Sequence, residues 1–284
     1  MKILVLHNAY RQPGGEDAVV RDEVALLREH GHEVTLSTAS NAKTGGVVDT
    51  LLSLWRSAYN RKVYRQVRVL CRRVKPDVAH VHNFWFMLSP SVHAACHAEG
   101  VPTVQTLHNF RLGCVNALLF RKGAVCEECL GQSPWKGVWR FCYRKSPLES
   151  ALVARMIQRN RRRETWYGDV DVFIALSEFA RQKFVKMGLR GDSIVVKRNF
   201  TPRPRTGERW ARHAGALFVG RLSAEKGVDT LVQAWTQLPD VPLNRQEHGV
   251  SRARFVEVNA HPLQQPAQVG QDVALGDAED ELTL

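Results

Sequence analysis

Three histidine–asparagine pairs each close a short apolar run of the sequence. They are His7-Asn8, His82-Asn83 and His108-Asn109. Histidine hydrogen-bonds to phosphate and sugar oxygens and changes charge near neutral pH. If the apolar runs are parallel strands, their carboxyl ends meet at one edge of the sheet, where doubly wound sheets bind ligands. We therefore expect these six residues to line a cleft; the alternative is that asparagine serves only as a turn residue.

A glycine pair, Gly14-Gly15, follows the first of these runs in the stretch RQPGGEDAVV. Glycine tolerates a positive φ and lets a ligand approach the backbone closely. The helix expected to begin near Asp17 would offer free N–H groups to an anion. The pattern indicates an anion-binding loop, with a plain glycine turn as the alternative.

Four further residues have the types and spacing of a metal site. The array C-x11-C-x2-C-x12-C is formed by Cys114, Cys126, Cys129 and Cys142. Four thiolates in a turn-rich segment can bind zinc tetrahedrally, so we expect a structural zinc. Unliganded thiols and a redox pair are the alternatives. Cys71 and Cys96 lie in apolar helical patterns and are expected to be core residues.

Near the end of the chain, the stretch ALFVGRLSAEKGVDTLVQAW has the pattern of a strand, a turn at Gly220 and a helix that starts near Gly227. Arg221 and Lys226 lie in the loop between them. Two cations beside a helix N-terminus are suited to a diphosphate. A solvated loop is the alternative.

The elements that must position these residues alternate through the first 200 residues. The expected strands are KILVL, EVTLS, DVAHV, TVQTL, DVFIAL and SIVVK. Helical patterns separate them at 17–30, 50–74, 91–99 and 178–187. This alternation predicts an α/β fold with a Rossmann-like, doubly wound parallel sheet.

The same patterns divide the chain. Residues 1–200 form the first domain, with a cysteine-rich insert at 112–143, and 201–215 read as a linker rich in proline, glycine and arginine. Residues 216–241 begin a second, incomplete Rossmann-like domain. Residues 242–284 show no apolar period and are expected to be a disordered tail.

Composition limits the classes of partner. The chain has 284 residues, of which 44% are hydrophobic and 24% charged, and a net charge of +12. Such a composition is typical of a globular protein and favours an anionic partner. No apolar run suits a signal peptide or a membrane span, so we expect a cytoplasmic chain. Arginine-rich helical stretches around Trp55 and 161–163 indicate solvated faces, anionic lipid or, less well, nucleic acid.

Several segments together resemble the family 4 glycosyltransferases of GT-B architecture. They are GGEDAVV, DVAHVHN, PTVQTLHNFRL, ALSEFARQKFVKMGL with VVKRNF, and FVGRLSAEKGVDTLVQA. The resemblance extends from residue 1 to about residue 238. It implies two Rossmann-like domains that face each other, the first binding the acceptor and the second the nucleotide sugar.

The resemblance also implies roles for single residues. Arg221 and Lys226 would clamp the donor diphosphate, and the Gly14-Gly15 loop would close over it. Glu16 and His108 would be the catalytic residues, with His108 near the reacting sugar. Fixed cations would replace a catalytic metal, so none is expected. The cysteine insert follows His108, so we expect it to form a flap over the acceptor side. A branch of the family resembles this segment, including LLFRKGAVCEECL.

One family feature is missing. The E-x7-E segment that holds the donor sugar and the ribose has no counterpart in 244–284, as a frameshift or an early truncation would produce. The resemblance therefore implies slow turnover with acceptor-side function retained.

The leading hypothesis is a retaining glycosyltransferase that moves a sugar from a nucleotide sugar to a glycan or lipid-linked acceptor in cell-envelope or exopolysaccharide synthesis. We expect it in the cytoplasm, peripherally at the inner face of the membrane, with no nucleic acid partner. The alternatives are a non-catalytic acceptor-binding fragment or pseudoenzyme, and a zinc-ribbon nucleic-acid-binding protein. The cysteine array contains no recognition helix, which disfavours the last.

Overall fold

The computed structural model describes residues 1–10, 14–41, 46–201, 215–220, 226–238, 241–246, 256–257 and 282–283. The chain divides into two compact units. The first comprises Met1–Pro202 with Glu281–Leu284, and the second comprises Arg203–Asp280. The predicted linker at 201–215 lies outside the described residues except for its two end residues.

The strands of the chain are short. They are β1 (Lys2–Ala9), β2 (Glu33–Ser40), β3 (Val78–Asn83), β4 (Thr103–Leu107), β5 (Phe120–Arg121), β6 (Ala124–Val125), β7 (Val172–Ala175), β8 (Ile194–Val196), β9 (Ala216–Val219), β10 (Leu243–Gln246), β11 (Val256–Glu257) and β12 (Leu282–Thr283). The helices are α1 (Gly15–Glu29), α2 (Val47–Arg56), α3 (Arg61–Val74), α4 (Ser91–Ala98), α5 (Lys136–Trp139), α6 (Pro147–Arg162), α7 (Thr165–Gly168), α8 (Glu178–Lys186) and α9 (Val228–Trp235). No described helix combines the length and apolarity needed to cross a bilayer.

The first unit is built on one parallel sheet with the strand order β12-β2-β1-β3-β4-β7-β8. Successive residues of β1 point to opposite faces. Ile3 and Val5 pack with Val20 and Val24 of α1, whereas Leu4 and Leu6 belong to the larger core on the other face. Helices thus cover both faces, which explains why the apolar runs are continuous. The predicted α/β Rossmann-like fold is confirmed.

Two predicted helix boundaries are wrong. The single helical pattern at 50–74 is two helices, α2 and α3, because Asn60 caps the second. Its Oδ1 accepts hydrogen bonds from the N–H groups of Lys62 and Val63 at 3.1 and 3.3 Å, as asparagine does at an N-cap. The first helix begins at Gly15 rather than near Asp17.

The second unit contains a three-stranded sheet in the order β11-β10-β9. Strand β10 pairs parallel with β9 and antiparallel with β11. Three segments of the predicted tail at 242–284 are therefore strands, including β12 in the first unit. Elsewhere the tail, and with it the prediction of disorder, lies outside the described residues.

Candidate functional site

The three strand-end pairs lie at one edge of the sheet, because β1, β3 and β4 are neighbours. His82 is central among the histidines. Its Nδ1 lies 3.2 Å from Nε2 of His108, and its ring centroid lies 6.5 Å from that of His7. Nε2 of His7 in turn lies 2.9 Å from Oδ1 of Asp17 in the first turn of α1.

Burial keeps two of these imidazoles neutral. It lowers the pKa of His108 to about 4 and holds the pKa of His82 well below its usual range. The neighbouring imidazoles lower both pKa values further. At neutral pH, His108 can therefore donate one hydrogen bond and accept another, but it carries no charge.

The asparagines of the first two pairs hold the backbone. Oδ1 of Asn8 accepts hydrogen bonds from the N–H groups of Met87 and Leu88 at 2.8 and 3.3 Å. The Asn83 amide donates to the Asn8 carbonyl at 2.9 Å, and its oxygen accepts from the N–H of Trp85 at 2.9 Å. The expectation that Asn8 lines a cleft is wrong, since it is 0% exposed. His7, His82 and Asn83 are buried as well.

The third pair reaches the first turn of α1. The Asn109 amide donates to Oε1 of Glu16 at 3.2 Å. Burial raises the pKa of Glu16, while hydrogen bonds from Tyr10 and Asn109 act in the opposite direction. The structure thus links Glu16 to Asn109, the residue next to His108, and the catalytic roles of Glu16 and His108 stay predictions. Sequence reasoning missed Tyr10. The one feature that could have indicated a role in the site was its position just after the first strand.

Neither glycine of the Gly14-Gly15 pair has the positive φ that the sequence led us to expect. Gly14 is extended, with a φ of −134°, and Gly15 is the first residue of α1. The Gly14 N–H donates to Oδ2 of Asp17 at 2.7 Å. A Cβ on Gly15 would meet no atom within 4 Å, so no packing contact requires glycine there. Diphosphate binding by this loop stays a prediction.

The predicted donor clamp is only partly described. Arg221 lies outside the described residues, and Lys226 is exposed in the second unit, next to Gly227. Gly227 has a φ of 69°, a conformation that favours glycine before a helix.

A cavity of about 520 Å³ adjoins the Glu16–Asn109 pair. Its wall includes Tyr10, Trp85, Asn109, Arg111, Tyr143 and Arg144. The guanidinium carbon of Arg111 lies 4.8 Å from the ring centroid of Trp85 and 5.1 Å from that of Tyr143. Sequence reasoning missed these three residues, although Arg111 lies in the quoted HNFRL segment. The cysteine insert supplies Tyr143, so it borders this cavity.

The four cysteines of the array are neighbours, but no three of their sulfur atoms are among the described ligand atoms that all lie within 4.8 Å of one another. All six cysteines are free. Burial raises the pKa of Cys129 to about 11, and the other three thiols of the array raise it further. Among the described residues, the group with three potential ligand atoms within 4.8 Å of one another is Glu23, His80 and His82, which contains no cysteine. In that group, the Glu23 carboxylate already forms an ion pair with Nζ of Lys197 at 2.7 Å. The expected zinc therefore stays a prediction.

Comparisons with known proteins give a family and a set of distant structures. The family model described as Glycosyltransferase Family 4 matches residues 13–202. MnaA of S. aureus, in a co-structure with UDP, is 14% identical over 88% of this chain and 63% of its own, with a TM-score of 0.42. MurG of Acinetobacter baumannii is 12% identical over 87% of this chain and 58% of its own, with a TM-score of 0.42. The lipopolysaccharide outer core galactosyltransferase WaaB, in its apo form, is 12% identical over 78% of this chain and 52% of its own, with a TM-score of 0.41.

This chain therefore spans less than two thirds of each of those solved chains. A search of curated proteins gave no match.

Proposed function

This chain belongs to Glycosyltransferase Family 4, and from that premise we propose that its first unit binds the acceptor in the transfer of a sugar from a nucleotide sugar. The observation that carries the proposal is the position of the 520 Å³ cavity, which adjoins the Glu16–Asn109 pair at the carboxyl edge of the sheet. Doubly wound sheets bind their ligands at that edge. The acceptor is a glycan or a glycolipid of the cell envelope or an exopolysaccharide.

In the proposed reaction, an acceptor hydroxyl forms a bond to the anomeric carbon while the bond from that carbon to the diphosphate oxygen breaks. The configuration is retained, and the hydroxyl proton passes to the departing diphosphate. Glu16 orients the acceptor hydroxyl, and neutral His108 binds a sugar hydroxyl. Arg221 and Lys226 stabilise the negative charge on the leaving group, without a metal.

The test measures nucleoside diphosphate release from UDP-, GDP- and dTDP-linked hexoses, with and without a membrane extract as the source of acceptor. We expect release that depends on the acceptor. A chimera in which the complete donor domain of a family 4 relative replaces residues 216–280, so that β12 of the first unit is kept, is assayed in parallel, and we expect it to turn over faster. Glycan binding without release from either protein would favour the non-catalytic acceptor-binding alternative. Neither binding nor release would contradict the proposal.

We also place this chain at an anionic membrane surface. Helix α2 exposes Val47, Val48, Leu52 and Trp55. The guanidinium of Arg155 lies 3.6 Å from the ring centroid of Trp55. Apolar side chains next to cations favour the interface of an anionic bilayer. Arg161 has another role, because its guanidinium donates to the Gln132 carbonyl of the insert.

We expect the protein to sediment with vesicles that contain phosphatidylglycerol, and less so as salt is added. Val48→Asp should weaken this binding, because it puts a charge on the apolar face of α2. The matched control is Val125→Asp in the insert, since Val48 and Val125 are 69% and 76% exposed. Equal sedimentation with neutral and anionic vesicles would contradict the proposal.

The zinc site is part of the proposal because Cys114, Cys126 and Cys142 lie near enough to Cys129 to add to the effect of burial in raising its pKa. We expect about one zinc per chain after purification under reducing conditions, held tetrahedrally by the array. A Cys126→Ser, Cys129→Ser double variant should lose it. Cys71→Ser should keep it, since the Cys71 sulfur lies 4.0 Å from that of Cys96 in the core. Elemental analysis measures the zinc content of each protein. Wild-type protein that is folded but contains no zinc would contradict the proposed site.

A further inference from the structure

We propose that the cavity beside the Glu16–Asn109 pair selects an acceptor sugar that carries a negatively charged group, a phosphate or a carboxylate, and that Arg111 and Arg144 bind this group. The inference rests on the proposed acceptor function and adds the chemical class of the acceptor. Three features of the cavity carry it: an arginine with no direct ion pair among the described residues, a second arginine beside a helix N-terminus, and a polar and aromatic wall suited to a sugar.

Arg111 carries a charge that no described carboxylate neutralises by a direct ion pair. Its contacts are the rings of Trp85 and Tyr143 and the Val115 carbonyl, which accepts a hydrogen bond from Nη1. Its Nε is buried and makes no hydrogen bond. A buried donor without a partner is costly, and more so on a charged group. An anionic ligand in the cavity would give this guanidinium the direct charge partner that it lacks among the described residues, since guanidinium binds carboxylate and phosphate with paired hydrogen bonds.

A second arginine and a helix end add positive potential to the same wall. Arg144 lines the cavity, and its Nη1 lies 3.6 Å from Oε2 of Glu149. Gly46 and Val47, at the start of α2, line it as well. The first N–H groups of a helix have no partner within the helix and attract anions. Among the described lining residues, the positive groups are two arginines and a helix N-terminus, and the one negative group is the Glu149 carboxylate.

The rest of the wall is suited to a sugar. The Tyr10 hydroxyl donates to Glu16 and the Thr50 hydroxyl to the Gly46 carbonyl, so both oxygens can accept hydrogen bonds from sugar hydroxyls. The rings of Trp85 and Tyr143 provide apolar contact. The volume of about 520 Å³ lies within the usual range of small-molecule sites. Asn109 both lines the cavity and bonds to Glu16, so a sugar held there would have a hydroxyl near the proposed site of transfer.

The experiment compares three probes that share one sugar ring, by ligand-observed NMR titration of the full chain. They are methyl glucoside, methyl glucuronide and glucose 1-phosphate. We expect at least one charged probe to bind about tenfold more tightly than the neutral one, as a charge-assisted hydrogen-bonded pair would give. A preference for the carboxylate or for the phosphate identifies which anion the acceptor carries.

Variants of the cavity residues test whether the preference for a charged probe arises in this cavity. Arg111→Gln should abolish it while leaving the neutral probe bound. Because Arg111 also packs between two rings, the more exposed Arg144→Gln serves as a second variant that should reduce the preference. Glu149→Gln should increase it, since it removes the carboxylate that faces Arg144. The matched control is Arg140→Gln in the cysteine insert, because the Arg140 side chain pairs with Glu128 at 3.2 Å and does not line the cavity.

Equal binding of the three probes, or a preference that survives both arginine variants, would overturn the inference and leave the acceptor function standing. Failure of every probe to bind, together with the absence of acceptor-dependent nucleoside diphosphate release, would overturn both.

Discussion

Asn8→Ala is expected to lower the free energy of unfolding by about 2–4 kcal/mol. The Asn8 side chain is fully buried and bonds to the segment after β3. Alanine would leave the N–H groups of Met87 and Leu88 without this acceptor. Each buried group left unsatisfied costs about 1–3 kcal/mol. Urea unfolding measures the effect as a lower midpoint at an unchanged slope.

Asn109→Ala is the matched control, because Asn109 follows histidine at the same edge of the sheet. Its side chain is only partly buried, accepts from the Arg111 N–H at 3.1 Å and donates to Glu16. We expect it to cost about 1 kcal/mol, the usual contribution of such a hydrogen bond. Equal losses for the two variants would show that the asparagines have the same role, contrary to the structure.

Glu16→Gln is expected to slow acceptor-dependent nucleoside diphosphate release about 100-fold, as the loss of a group that positions a reacting hydroxyl can do. The chimera with a complete donor domain is the protein for this measurement. The same variant should leave the free energy of unfolding unchanged or raise it. Burial raises the pKa of Glu16, so folding disfavours the ionised carboxylate, and a neutral amide escapes that penalty.

The control for this variant is Glu29→Gln at the exposed end of the same helix. It removes an equal charge from α1 far from the strand-end edge, and its turnover should match that of the parent protein. Parent-like turnover by Glu16→Gln as well would remove Glu16 from the mechanism. A loss of turnover that came with a large loss of stability would show that Glu16 acts by holding the fold.

The sequence by itself determined the elements and their arrangement. Continuous apolar runs such as KILVL predicted strands covered on both faces, and the structure has them in a parallel sheet. The motifs also predicted the family, which is confirmed. These features follow from local periodicity, because the spacing of apolar residues reports which faces of a strand or helix are covered.

Tertiary structure alone decided what the side chains at the strand ends do. Three identical dipeptides gave two buried asparagines that hold the backbone and one that reaches Glu16. The difference depends on partners far away in sequence, since Asn8 bonds to Met87, 79 residues later. Arg111 likewise meets Tyr143 only because the insert folds back on itself. A local pattern places a residue on an element, but its hydrogen-bond partners and charge environment come from segments that only the folded chain brings together.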